Sequence, residues 1–176
     1  MSSKHEIALC IATEEAEWLA DFTSDADALV RLILNLAPRT INFPSFDISS
    51  LFAQVEAHAP LPEVDAETGA PPHVVRAVLF YGRSAAKPSY TMFPDLVPSM
   101  MDNPAFFFDA LYLHQKPSAT ADPQGVFDAL TAIDTRGTDS YFLEDSKNLR
   151  RMILHVTMLL AHPLQRTDCA ALEPSL

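Results

Sequence analysis

Glycine is scarce in this chain. Four occur in 176 residues, Gly69, Gly82, Gly125 and Gly137. No phosphate-cradling loop can be built from them, and neither the dinucleotide fingerprint nor the P-loop pattern is present. Cysteine is scarcer still. Cys10 sits in an apolar run and reads as a small core residue, and Cys169 lies in a polar tail, so a disulfide framework is not expected. Basic residues are few, 12 Lys and Arg against 23 Asp and Glu, for a formal charge of -11. Nucleic-acid binders draw most of their affinity from neutralising phosphates, so the balance argues against DNA or RNA, Arg150 and Arg151 being the one local basic pair of note. Apolar runs stay short of the ~18 residues that a membrane span needs. The opening Met1-Ser2-Ser3-Lys4-His5-Glu6 lacks the apolar stretch of a signal peptide. These features predict an intracellular protein without membrane or nucleic-acid partners.

What is present is globular. Apolar residues make up 48% and charged residues 20% of the chain, which suits one domain of ordinary size. Three short apolar runs dominate: Ile7 to Ala12, Val74 to Tyr81 and Phe106 to Leu113. Near-continuous runs of this kind predict strands covered on both faces, as in a parallel sheet between helix layers. Glu17 to Phe22 alternates in part and predicts an edge strand after a tight connection, with a helix as the rival reading. Helical patterns lie between the runs. Ser24 to Asp27 supplies caps for a helix over 28–36 with Leu29, Leu32, Ile33 and Leu36 on one face, ended by Pro38. Asp47 or Ser45 caps a second helix through Leu51, Phe52 and Val55. Residues 59–72, with four prolines and three acids, read as an exposed connection. Shorter helices are predicted over 95–101 and 123–133. The longest covers about 146–162, where Leu149, Met152, Ile153, Val156, Leu159 and Leu160 form a stripe expected to be packing surface. Strand-helix alternation predicts an α/β domain with an open, mostly parallel sheet.

Candidate chemistry is thin. The six histidines show no metal-ligand spacing. His155, among apolar helix neighbours, reads as a satisfied, partly buried ring. His114 ends a strand, where α/β folds place their sites. Tyr81-Gly82-Arg83-Ser84-Ala85 lacks the second glycine of a nucleophile elbow and reads as a turn. Asp109 stands inside the third apolar run, where a carboxylate costs several kcal/mol unless paired. Its expected role is a tie to Arg76 or a backbone amide; a catalytic or metal carboxylate is the sharper alternative. Asp134-Thr135-Arg136-Gly137-Thr138 reads as a turn ending a helix. A hydrolase or transferase using Asp109 and His114 is one rival to a binding function. A metal-dependent adhesion domain is another, although the Asp-x-Ser-x-Ser signature is absent. No cofactor is expected.

Several segments, in order, resemble one family. They are Ser3 to Leu9, Trp18-Leu19 and Phe22 to Asp25; Pro71 to Arg76 and Tyr81 to Arg83; Phe106 to Asp109 and Tyr112 to His114; Asp134 to Thr138; and, most specifically, Leu159-Leu160-Ala161-His162-Pro163-Leu164-Gln165-Arg166. Together they are similar to the BRISC and BRCA-A complex member one family, the von Willebrand A-like scaffold subunit of the BRISC and BRCA-A deubiquitinase complexes. The resemblance implies a von Willebrand A-like (Rossmann-type) α/β fold over 1–166, with helices on both faces of the sheet and a short tail at 167–176. It implies a non-enzymatic scaffold in the nucleus and cytoplasm. Its partner would be the subunit carrying E2-variant domains, and through that the metalloprotease subunit that cleaves lysine-sixty-three-linked ubiquitin. The helix exit His162, Pro163, Leu164, Gln165 and Arg166 is the candidate partner contact; the competing role for Pro163 and Leu164 is to end and pack the helix.

Two departures carry expectations. The tail lacks the acidic end associated with the family. The family also places a first strand and helix ahead of the part matched here, and that strand lies mid-sheet. The chain is therefore expected to leave two interior strand edges unpaired, which is costly. A fragment is the favoured reading; direct closure of the Ile7–Ala12 strand onto the strand at 74–81, or a strand supplied by a partner, are the alternatives. The 176-residue chain alone is expected to be marginally stable, with a thermal scan of the monomer giving a midpoint below ~60 °C.

Overall fold

The computed structural model describes residues 5–37, 43–134, 140–146 and 148–163. The elements run β1 (Ile7–Ala12), β2 (Ala16–Thr23), α1 (Ala26–Asn35), β3 (Phe46–Asp47), α2 (Ser49–His58), β4 (Val75–Tyr81), β5 (Pro88–Ser89), α3 (Leu96–Met101), β6 (Phe106–Leu113), α4 (Pro123–Thr131), β7 (Phe142–Asp145) and α5 (Leu149–Leu159). All three apolar runs are strands, as their continuity predicts.

The central strand is β6. It pairs in parallel with β4 on one side, Val75 opposite Phe106 through Tyr81 opposite Tyr112, and with β7 on the other. Its side chains divide by the period of two. Phe106, Phe108, Ala110 and Tyr112 enter the main core with Leu51, Phe52 and Val55 of α2, Val97, Met100 and Met101 of α3, and Val126 and Leu130 of α4. Leu111 and Leu113 point the other way and pack with Leu143, Met152, Val156 and Leu159 beneath α5. Helices thus lie on both faces of an open, mostly parallel sheet, an α/β arrangement consistent with the von Willebrand A-like fold.

The caps are local. Asp25 accepts from the Ala28 amide at the start of α1, and Asp122 accepts from the Gly125 amide at the start of α4. A Cβ at Gly125 would collide with that Asp122 carboxylate and push the cap aside. Asn148 caps α5 by accepting from the Arg150 and Arg151 amides, which places its start three residues after the expected Ser146. The connection 59–74 holds no helix or strand, and Asp65 closes its one turn with Gly69 at φ +67°.

Three expectations are corrected. First, β1 is not part of the β4–β6–β7 sheet. It pairs antiparallel with β2, Cys10 opposite Trp18 and Ala12 opposite Ala16, in a separate two-stranded sheet. The edge-strand reading of Glu17 to Phe22 holds, but direct closure of β1 onto β4 does not occur. Second, continuous apolarity does not mean cover on both faces: β6 is buried from Phe106 to Tyr112, whereas Phe80 of β4 is 59% exposed. Third, the helical stripes are largely uncovered. In α1 only Leu29 is buried, and Ile33 and Leu36 are exposed; in α5 only Leu159 is buried, while Ile153 is 56% and Leu160 78% exposed. Periodicity identifies the face that would pack, and the described residues place too little against it. Pro38 and the expected boundary at residue 166 lie outside the described residues.

Candidate functional site

Asp109 is fully buried on the α5 side of β6. One carboxylate oxygen accepts from Arg76 Nε at 2.5 Å, and the other from the Tyr141 amide at 2.8 Å. Arg76 lies on β4, directly opposite Phe107 and so beside Asp109 on the same face. Both expected ties, to Arg76 and to a backbone amide, are therefore made at once, and they join β4, β6 and the entry to β7.

His114 follows the end of the same strand. Its Nδ1 meets the Gln115 carbonyl at 3.0 Å, and its ring stacks on Tyr112 at 5.4 Å. An offset of five residues puts Asp109 and His114 on opposite faces of an extended chain, about 16 Å apart along it at ~3.3 Å per residue. The structure does not bring them together. A cavity of about 230 Å³ does lie at the carboxyl ends of β4 and β6, lined among others by Ser84, Lys87, Asp122 and Gly125, but neither Asp109 nor His114 reaches it. Its Ser84 accepts from the Gln115 amide through Oγ and from the Asp122 amide through its carbonyl, so these polar groups tie loops to one another. Among the described residues no three His, Cys, Asp or Glu side chains gather as metal ligands would.

The strongest polar cluster was legible only as a helix cap. Asp47, nearly buried at the end of β3, accepts from the Ser49 amide and hydroxyl through one oxygen. The other takes the Thr91 amide, the Thr91 hydroxyl and the Met92 amide. Burial alone would raise its carboxyl, but the hydrogen bonds from Ser49, Thr91 and Met92 outweigh that and bring it from 3.8 down to about 2. The carboxylate is saturated by donors of its own chain, so its role is to pin the 89–93 loop to the start of α2. Because the folded value is depressed, the stabilisation is complete above pH ~4 and is lost as pH falls toward 2. An acid titration of stability by urea denaturation should show this loss, and Asp47→Asn should flatten it while lowering stability at pH 7.

Arg83, read from sequence as part of a turn, is a long-range fastener. Its guanidinium lies 5.5 Å from the Phe46 ring centroid and 5.3 Å from that of Tyr81, and donates to the carbonyls of Thr13 at 2.8 Å and Ser45 at 3.3 Å. Nothing local in sequence signals contacts 38 and 70 residues away. Cys10 packs against the main core, and burial pushes its thiol up to about 11, which leaves it inert as a nucleophile. His155, half-buried on α5, is held below the usual imidazole range by burial and by Arg151.

At the other end of α5 the helix closes after Leu159, His162 is exposed and Pro163 is half-buried. Leu160, just before them, presents most of its side chain to solvent. Leu164, Gln165 and Arg166, the rest of the candidate contact, lie outside the described residues, as do Thr135 to Thr138 of the turn noted above and Cys169.

Comparison with known proteins adds identity to this geometry. No protein-family model matches the chain. Curated homologues do. A Xenopus tropicalis protein is 35% identical over 170 residues, a Rattus norvegicus protein 32% over 172 and a Homo sapiens protein 31% over 172. Each match covers 94% of this chain and 50–52% of the relative, and each relative is named BRISC and BRCA1-A complex member 1. The chain thus spans about half the length of the curated relatives it matches.

Proposed function

From its homology to BRISC and BRCA1-A complex member 1 over 94% of its length, we infer that this chain is a non-catalytic scaffold subunit of a deubiquitinase assembly of that kind. It binds the subunit carrying E2-variant domains. Through that subunit it stabilises the metalloprotease acting on lysine-sixty-three-linked ubiquitin, in DNA damage response and ubiquitin signalling, in nucleus and cytoplasm. The observation that carries this reading is the homology itself. Two features of the structure support it. Asp109, the one carboxylate buried in the central strand, is consumed by structural ties. And α5 ends in an apolar, exposed turn, Leu160 to His162, that leads straight into the segment most like the family.

The contact is assigned to His162, Pro163, Leu164, Gln165 and Arg166. Interface energy concentrates in a few large side chains, arginine prominent among them. Pull-down and titration with the E2-variant subunit should show Arg166→Ala and Leu164→Ala each weakening binding by about tenfold or more, the effect of losing one such anchor. Binding unchanged in both variants removes the assignment of the contact; no binding by the wild-type chain removes the scaffold reading.

A further inference from the structure

We propose that Trp18, Asp21 and Phe22 of β2 form a surface seat for an arginine side chain presented by another polypeptide. The seat lies where the β1–β2 hairpin meets α2, and its test is independent of the contact at the exit of α5.

The seat begins in an irregular strand. Adjacent residues of a regular strand point to opposite faces, and a residue three positions on stands about 10 Å away. β2 departs from that twice. Between the pairs Cys10–Trp18 and Leu9–Ala20, one step along β1 is matched by two along β2; between Leu9–Ala20 and Ile7–Thr23, two steps are matched by three. Each extra residue is a bulge, and bulges re-aim side chains. As a result Asp21 and Phe22, neighbours in sequence, both reach Trp18. The indole N–H donates to Asp21 Oδ1 at 2.8 Å, and the Phe22 ring centroid lies 5.8 Å from that of the indole, the rings tilted by 58°. His58, at the end of α2, stacks on the indole at 4.1 Å and 8°, with its Nδ1 3.9 Å from the same Asp21 oxygen.

The fold accounts for part of this cluster. The Trp18–His58 stack fastens the hairpin to α2. It does not account for Asp21 and Phe22, which turn outward: the Asp21 side chain is 87% and Phe22 43% exposed. The indole holds one carboxylate oxygen in place, and Oδ2 accepts no hydrogen bond among the described residues. A fixed carboxylate oxygen beside an open aromatic ring suits a guanidinium, whose plane lies against the ring while an N–H on its edge donates to the oxygen. An ammonium brings the charge without the flat face. The local charge has the matching sign. β1, β2 and α2 carry no lysine or arginine, whereas Glu17, Asp21 and Glu56 stand on them and Glu14 and Glu15 on the turn between the strands. An acidic segment would be repelled here. The bulges also spoil the outer edge of β2 for pairing with an added strand, so recognition falls to side chains.

Trp18 is the one tryptophan of the chain, so its indole N–H gives a single NMR signal that reports on the seat. The 176-residue chain is titrated with the end-blocked pentapeptide Gly-Gly-Arg-Gly-Gly, and in parallel with the same peptide carrying lysine or citrulline, the neutral isostere, at its centre. The arginine peptide should move the signal saturably, with a Kd in the millimolar range, and bind about fivefold tighter than either of the others, the gain expected from an exposed ion pair and a ring contact. Asp21→Asn keeps an oxygen for the indole N–H and removes the charge; Phe22→Leu keeps apolar bulk and removes the ring. Both positions are exposed, so each variant should keep its circular dichroism spectrum and lose about threefold or more in affinity for the arginine peptide. A signal that does not saturate, a citrulline or lysine peptide that binds as well as arginine, or an unchanged affinity in either variant overturns the proposal.

Discussion

Replacing Asp109 by alanine should destabilise the fold by about 3–5 kcal/mol, the cost of removing one partner from a buried, hydrogen-bonded charge pair. Urea denaturation at pH 7 followed by far-UV circular dichroism measures it. The carboxylate is fully buried and holds both the Arg76 side chain on β4 and the Tyr141 amide ahead of β7. Alanine removes the charge that justifies a guanidinium on this face, and it takes away the acceptor of a buried backbone N–H. A whole domain is stable by only 5–15 kcal/mol. The variant should therefore be largely unfolded at body temperature. The double variant Arg76→Leu, Asp109→Leu separates the two effects. Removing both charges together is often close to neutral, whereas the Tyr141 amide still goes unsatisfied, at about 1–3 kcal/mol. The double variant should therefore recover more than half of the single variant's loss. If Asp109→Ala costs under ~1 kcal/mol, Asp109 is not the tie between these strands.

How far such features were legible in sequence depends on the range of the interaction behind them. A carboxylate in the middle of Phe-Phe-Phe-Asp-Ala-Leu demands a partner, and the demand is local; Arg76 was nameable because it sits in the other long apolar run. The Tyr141 amide was not, since β7 is four residues, the last two acidic, with no run to mark it. β3 and β5, two residues each, carry no periodicity at all. Asp47 or Ser45 was expected to cap α2, but the N-cap position is Ile48, without a side-chain cap, and the bonds of Asp47 to Thr91 and Met92 cross 44 and 45 residues. The same limit explains α1 and α5. Amphipathic spacing records which face is apolar. It does not record whether another element arrives to cover it, and here one does so only at Leu29 and around Leu159. The family was legible because its matching segments recur in order, which needs no contact to be known. Of the candidate contact, the sequence named the helix exit, and the described structure extends as far as His162 and Pro163.

Phe108 and Phe80 put the uneven burial of the two longest strands to a direct test. Phe108→Ala should cost about 3–5 kcal/mol, the range for emptying a fully buried phenylalanine site. Its ring is packed 5.3 Å from that of Phe52 on α2 and 6.0 Å from that of Phe142 on β7, so alanine opens a void where α2, β6 and β7 meet, and neither neighbour can close it without leaving its own contacts. Phe80→Ala, in an apolar run of the same kind two strands of sequence earlier, should change stability by no more than about 0.5 kcal/mol, as exposed positions do. The pair is read in the same denaturation experiment. Equal, large losses would mean that this face of β4 is covered in solution. A large loss at Phe108 alone fits a sheet whose β4 side is open.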